Sequence, residues 1–80
     1  MNAFPNPASQ SLKVAYTLPD KVTLATLHLI DNSGKQVGQF MVDNHTDHLM
    51  LDVSRYQSGV YHYFIEFGNT KTPAKKLVVQ

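Results

Sequence analysis

Apolar and polar residues alternate along this chain with a period of two, and nowhere with the period of a helix. Leu12, Val14 and Tyr16 alternate with Ser11, Lys13 and Ala15. Leu49, Leu51 and Val53 repeat the pattern, and Tyr61, Tyr63, Ile65 and Phe67 make its best inward face. Their partners Val60, His62, Phe64 and Glu66 are mixed in character. Successive side chains of an extended strand point to opposite faces, so this spacing describes strands with one face buried. It leaves no room for a helix longer than a turn or two.

Turn residues divide the pattern. Leu18-Pro19-Asp20, Asp31-Asn32-Ser33-Gly34 and Gly68-Asn69-Thr70 are breaks, and Pro73 limits where the last strand starts. Residues 22–30 are the longest candidate strand. Val22 and Leu24 stand on one phase and Leu27 and Leu29 on the other, so a bulge near Ala25-Thr26 is expected. The Asp31–Gly34 turn leads into a hairpin strand over residues 35–42, and residues 74–79 form the final strand. About seven short strands with turns every 8–12 residues predict an all-β fold, an immunoglobulin-like antiparallel β-sandwich with Greek-key connections. Tyr56, Gly59 and Tyr61 have the spacing of a tyrosine corner, in which the Tyr61 hydroxyl bonds back to the crossover backbone. Tyr61 and Tyr63 therefore read as structural, and Gly59 as the residue granting an unusual backbone angle.

At 80 residues the chain is one domain, spanning 1–80. A chain this size buries only about 60% of its unfolded surface, so its stability is modest. It has no cysteine, hence no disulfide and no thiolate metal site. A net charge of +1 gives no footprint for nucleic acid. No apolar run reaches the roughly 18 residues that span a bilayer, so no membrane insertion is expected. Met1-Asn2-Ala3 lacks the features of a signal peptide, and a leader would belong to a parent chain upstream. His45 and His48 with Asp43 and Asp47 could be drawn as a metal cluster, but they match no zinc or calcium spacing. The segment reads as a polar loop, mobile and binding neither metal. His28 and His62 fall on strands. The acids sit mostly in turns, no serine lies in a nucleophile elbow, and the glycines are too scattered for a phosphate loop. No catalytic residue and no cofactor is expected, and the chain is not read as an enzyme.

Five segments in order carry a resemblance. They are Pro5-Asn6-Pro7-Ala8-Ser9; Leu12 through Pro19; Leu29-Ile30-Asp31 with Gly34-Lys35-Gln36-Val37; Leu51-Asp52-Val53-Ser54 leading to Ser58-Gly59-Val60-Tyr61; and Lys75-Lys76-Leu77-Val78-Val79-Gln80. Together they resemble the C-terminal sorting domain of type IX (Por) secretion cargo, from Phe4 to Gln80. Tyr56 stands where that family often has leucine, and Ser33 where it often has an apolar residue.

The resemblance implies a small immunoglobulin-like domain that directs cargo through the outer membrane of a Gram-negative bacterium. Cargo would cross the periplasm and end secreted or at the cell surface. The implied partners are the translocon, shuttle and sortase proteins of the type IX system, the sortase cutting the domain away and attaching the cargo. The signal residues it implies are Pro5, Asn6, Pro7, Gly59, Tyr61, Lys75, Lys76, Leu77, Val78, Val79 and Gln80. Residues 1–4 would be the end of a linker. The lysine-headed last strand suits strand addition onto another sheet, with Leu77 and Val79 filling either core sites or receptor pockets. The same lysines also suit an edge guarded against unwanted pairing. A terminal edge strand can also exchange between protomers in a dimer. The rival reading is an immunoglobulin-like carbohydrate- or protein-binding module of a surface protein.

Overall fold

A computed structural model of the chain describes residues 2–4 and 10–80. Among these residues there is no helix, and eight strand segments form two antiparallel sheets. They are β1 (Asn2–Phe4), β2 (Ser11–Ala15), β3 (Leu24–Asp31), β4 (Gln36–Asp43), β5 (His48–Asp52), β6 (Gly59–Phe67), β7 (Thr70–Lys71) and β8 (Lys75–Val79). One sheet has the order β1-β2-β5; the other runs β4-β3-β6, with β7 and β8 both on the far side of β6. Because β7 and β8 pair with successive parts of β6, they act as two parts of one arm.

The period-two reading holds where it was strongest. Leu12 and Val14 of β2, Leu27 and Leu29 of β3, Leu51 of β5, Tyr61, Tyr63 and Ile65 of β6, and Leu77 and Val79 of β8 are buried. They belong to one apolar cluster fed by both sheets. Burying a side chain of this kind contributes about 1.5–3 kcal/mol, and a domain with a single small core depends on every one.

Two expectations need correction. The bulge near Ala25-Thr26 does not exist: β3 runs in one phase, with Ala25, Leu27 and Leu29 buried. Val22 precedes the strand, its amide bonded to the Pro19 carbonyl at 3.1 Å in a turn where Lys21 takes a φ of 72°. That turn consumes the residues that seemed out of phase, and Leu24 begins β3 58% exposed. The real irregularity lies between β3 and β4, where Leu29 faces Gly38 but Ile30 faces Gln36, leaving Val37 as the extra residue. The longest strand is β6, at nine residues against eight for β3. Asn2 to Phe4 pair with Ala15 to Lys13 as β1. Phe4 precedes a proline, which biases it to the extended backbone a strand needs.

Tyrosines join the parts. The Tyr16 hydroxyl, at the end of β2, donates to the Asp43 carbonyl at the end of β4, 2.9 Å away, and so ties the two sheets. Tyr56, from the β5–β6 connection, brings its hydroxyl over Gly38 of β4. A Cβ at Gly38 would lie 2.9 Å from that oxygen and 2.9 Å from the Phe40 ring. Gly38→Ala is therefore expected to cost about 1–3 kcal/mol, the range for overpacking. Adding Tyr56→Phe should recover part of that loss by removing one of the two obstacles. Urea denaturation of the two single variants and the double variant checks this.

Candidate functional site

The glycine-tyrosine block and the lysine-headed strand, far apart in sequence, are direct cross-strand partners. Gly59 faces Val79, Val60 faces Val78, Tyr61 faces Leu77, His62 faces Lys76 and Tyr63 faces Lys75. The structure thus brings Gly59, Tyr61, Lys75, Lys76, Leu77, Val78 and Val79 onto one two-stranded edge, with Gln80 directly after it and exposed. Pro5, Asn6 and Pro7 lie outside the described residues.

The β5–β6 connection is built as a tyrosine corner. The Tyr61 hydroxyl donates to the Gln57 carbonyl at 2.7 Å, and its ring meets the Tyr56 ring at 5.8 Å between centroids. Tyr61 is 7% exposed. Gly59 opens β6 with a φ of 153°, an angle that residues with a side chain rarely adopt, although open space surrounds it. Its requirement for glycine is therefore one of backbone conformation, not crowding.

Alternation divides the last strand. Leu77 and Val79 point into the core at 0% and 2% exposure. Of the two roles open to them, they fill core sites. Lys75 and Lys76 are exposed, and Val78 is half-buried. Upstream, three residues, Thr72, Pro73 and Ala74, stand opposite only two, Phe64 and Ile65. This kink keeps its hydrogen bonds despite the proline. Ile65 N–H donates to Thr72 Oγ1, and Thr72 N–H donates to the Ile65 carbonyl, both at 2.9 Å. Beside it a groove of about 330 Å³ opens, lined by Tyr16, Leu18, Ile65, Phe67, Pro73 and Lys75 among others.

On the outward face His28 joins three strands. Its Nδ1 lies 2.8 Å from Gln36 Oε1 of β4 and its Nε2 lies 2.9 Å from Glu66 Oε1 of β6. Its ring stacks on Phe64 at 4.9 Å, with Lys71 Nζ 5.8 Å from the same Phe64 ring. Neither this cluster nor the groove was foreseen from sequence, because both depend on the register that sets His28 opposite Phe64 and on the kink at Pro73.

The acids serve turns. Asp31 Oδ1 accepts from Ser33 Oγ at 2.7 Å and from the amides of Ser33 and Lys35 at 2.9 Å each. Asp52 Oδ1 accepts from Ser54 Oγ at 2.7 Å and Ser54 N–H at 3.0 Å. These bonds, led by the serine hydroxyls, hold both carboxyls below the ordinary carboxylate range. Asp47 is lowered chiefly by its hydrogen bond to His48, at 3.0 Å. Burial pushes the Tyr63 hydroxyl up.

A model of the secretion-system C-terminal sorting domain family matches residues 2–80. The chain belongs to that family, the C-terminal sorting signals of type IX secretion. No curated protein and no solved structure matches it.

Two measurements test the site's construction. Tyr61→Phe should cost about 1 kcal/mol in urea denaturation, the net worth of one such hydrogen bond. The second is acid sensitivity. A carboxyl with a lowered folded pKa stabilises the fold above its unfolded pKa, and that contribution is lost as pH falls through the folded value. Stability should therefore fall as pH drops below the ordinary carboxylate range, and Asp31→Asn/Asp52→Asn should flatten that fall. Thermal melts across acidic pH read both.

Proposed function

We propose that the folded domain acts as the export address by being recognised, not by catalysis. The outer-membrane translocon, the shuttle and the sortase of the type IX system are its partners. On this reading cargo crosses the periplasm, passes the outer membrane with the domain attached, and is released or fixed at the cell surface after sortase cleavage. The observation that carries it is the family match over residues 2–80, which spans the folded sheets and not a short linear tag. The engagement of Asp31 and Asp52 in turns and of His28 with Glu66 fits a structural census of polar groups.

The pairing supports an immunoglobulin-like Greek key. One sheet holds β2 beside β5, the other holds β4, β3, β6 and β8, and the links β2–β3, β4–β5 and β5–β6 each cross between sheets. Links that alternate between sheets in this way favour such a sandwich.

Within it, the lysine-headed strand β8 is the element that is read. Lys75 and Lys76 supply its exposed charge. Gly59 and Tyr61 hold the strand against which β8 lies. The kink at Pro73 is the hinge about which β8 would exchange between two copies, should they form a strand-exchanged dimer.

Truncating the tail cannot test this, since it also removes Leu77 and Val79 from the core. Charge reversal can. Lys75→Glu/Lys76→Glu should leave stability within about 0.5 kcal/mol of the parent, as exposed substitutions do. It should block surface delivery of a reporter fused ahead of the domain in a bacterium with the type IX machinery. Leu77→Ala should instead cost about 2–5 kcal/mol and lose delivery through the fold. Normal delivery by the stable charge-reversed domain would sink recognition by this strand.

A further inference from the structure

Among the described residues, the two outer strands of the five-stranded sheet are guarded differently. The β7–β8 arm carries Lys71, Lys75 and Lys76, and its kink contains Pro73. Lysines, prolines and bulges are the features that keep an edge strand from pairing with other chains. The opposite edge, β4, has a single bulge near its start, at Val37. From Gln36 to Val42 it contains neither a charge nor a proline. Among the described residues its only strand neighbour is β3. Met41 stands 70% exposed on its outer face, with Leu24 58% exposed on the adjoining strand. An edge of this length and neutrality is a template for another extended strand.

The order of charges says which strand. Lys35 immediately precedes β4 and Asp43 ends it, so the edge has a cationic head, a neutral middle and an anionic end. We infer that β4 pairs with β4 of a second copy of this chain, antiparallel about a twofold axis, joining two five-stranded sheets into one. An antiparallel register centred on Gln39 sets Asp43 of each copy opposite Lys35 of the other, so the favourable pair occurs twice. A parallel register would set Lys35 against Lys35 and Asp43 against Asp43. The antiparallel register also puts Phe40 opposite Gly38 and Met41 opposite Val37, so no like charges meet. A twofold interface must be complementary to itself, and this strand is. The association involves no exchange of β8 and does not depend on how the domain is read during export.

Sedimentation velocity of the 80-residue chain up to millimolar concentration, with amide chemical shifts followed over the same dilution, tests it. A reversible monomer–dimer equilibrium is expected, with concentration-dependent shifts confined to β4 and its flanks. Lys35→Asp and Asp43→Lys should each weaken the dimer about tenfold, because two attractive cross-strand pairs become repulsive. The double swap, which restores opposite charges across the axis, should return the dissociation constant to within about twofold. Met41→Lys leaves the turns untouched and should weaken the dimer about tenfold even if an end variant folds poorly. Lys76→Glu on the other edge should change nothing. A chain that stays monomeric throughout the range overturns the inference. So does a dimer whose single and double swaps behave alike, or one whose shifts fall on β8.

Discussion

The larger sheet depends on β6 having partners on both sides. It pairs with β3 along Thr26 to Asp31 and with β8 along Lys75 to Val79. Its inward residues Tyr61, Tyr63 and Ile65 are buried, and Tyr61 also fastens the preceding connection through Gln57. In an 80-residue chain with no cysteine, nothing covalent replaces this arrangement. Loss of β6 would leave β3–β4 as an isolated hairpin, which is marginal in water, and would take from β8 the strand it pairs with along Lys75 to Val79.

The same pairing explains why motif and scaffold cannot be separated by deletion. A strand has two faces and two edges, and β8 uses three of these four surfaces differently. Leu77 and Val79 take one face into the core, one edge bonds to β6, and Lys75 and Lys76 stand exposed. Side chains two residues apart share a face, so Leu77 and Val79 pack together while Lys76 and Val78 take the other face; Lys75 shares the parity of Leu77 but stands exposed where the strand begins. The exposure of both lysines makes charge reversal informative where truncation is not.

How much of this was legible follows from which interactions are local in sequence. The alternations of β2, β5 and β6 were legible because burial sets side chains at a period of two regardless of partner. The tyrosine corner was legible because its members lie within six residues, from Tyr56 to Tyr61. The Ala25-Thr26 bulge was misread because the Pro19–Val22 turn, with Lys21 at a positive φ, removes Val22 from the strand. Nothing in a hydrophobicity pattern marks a left-handed lysine. The pairing of Gly59 with Val79 and of Tyr61 with Leu77 needs register, which a single strand's sequence does not contain. The His28–Glu66–Phe64 cluster was invisible for the same reason, and the groove at Pro73 arises from one unmatched residue.

An address built this way has a physical property that a linear tag lacks. The exposed lysines of β8 are held in place while Leu77 and Val79 are packed, and these two belong to the same core cluster as the inward residues of β6, which is itself paired to β3. Unfolding therefore removes the presented strand along with the core, because both are consequences of one strand register. The position of β8 makes this coupling tight. Among the described residues it pairs with β6, and it fills two buried sites. A strand so placed cannot leave without opening the core, and it cannot be offered to a receptor as a free peptide without the same cost.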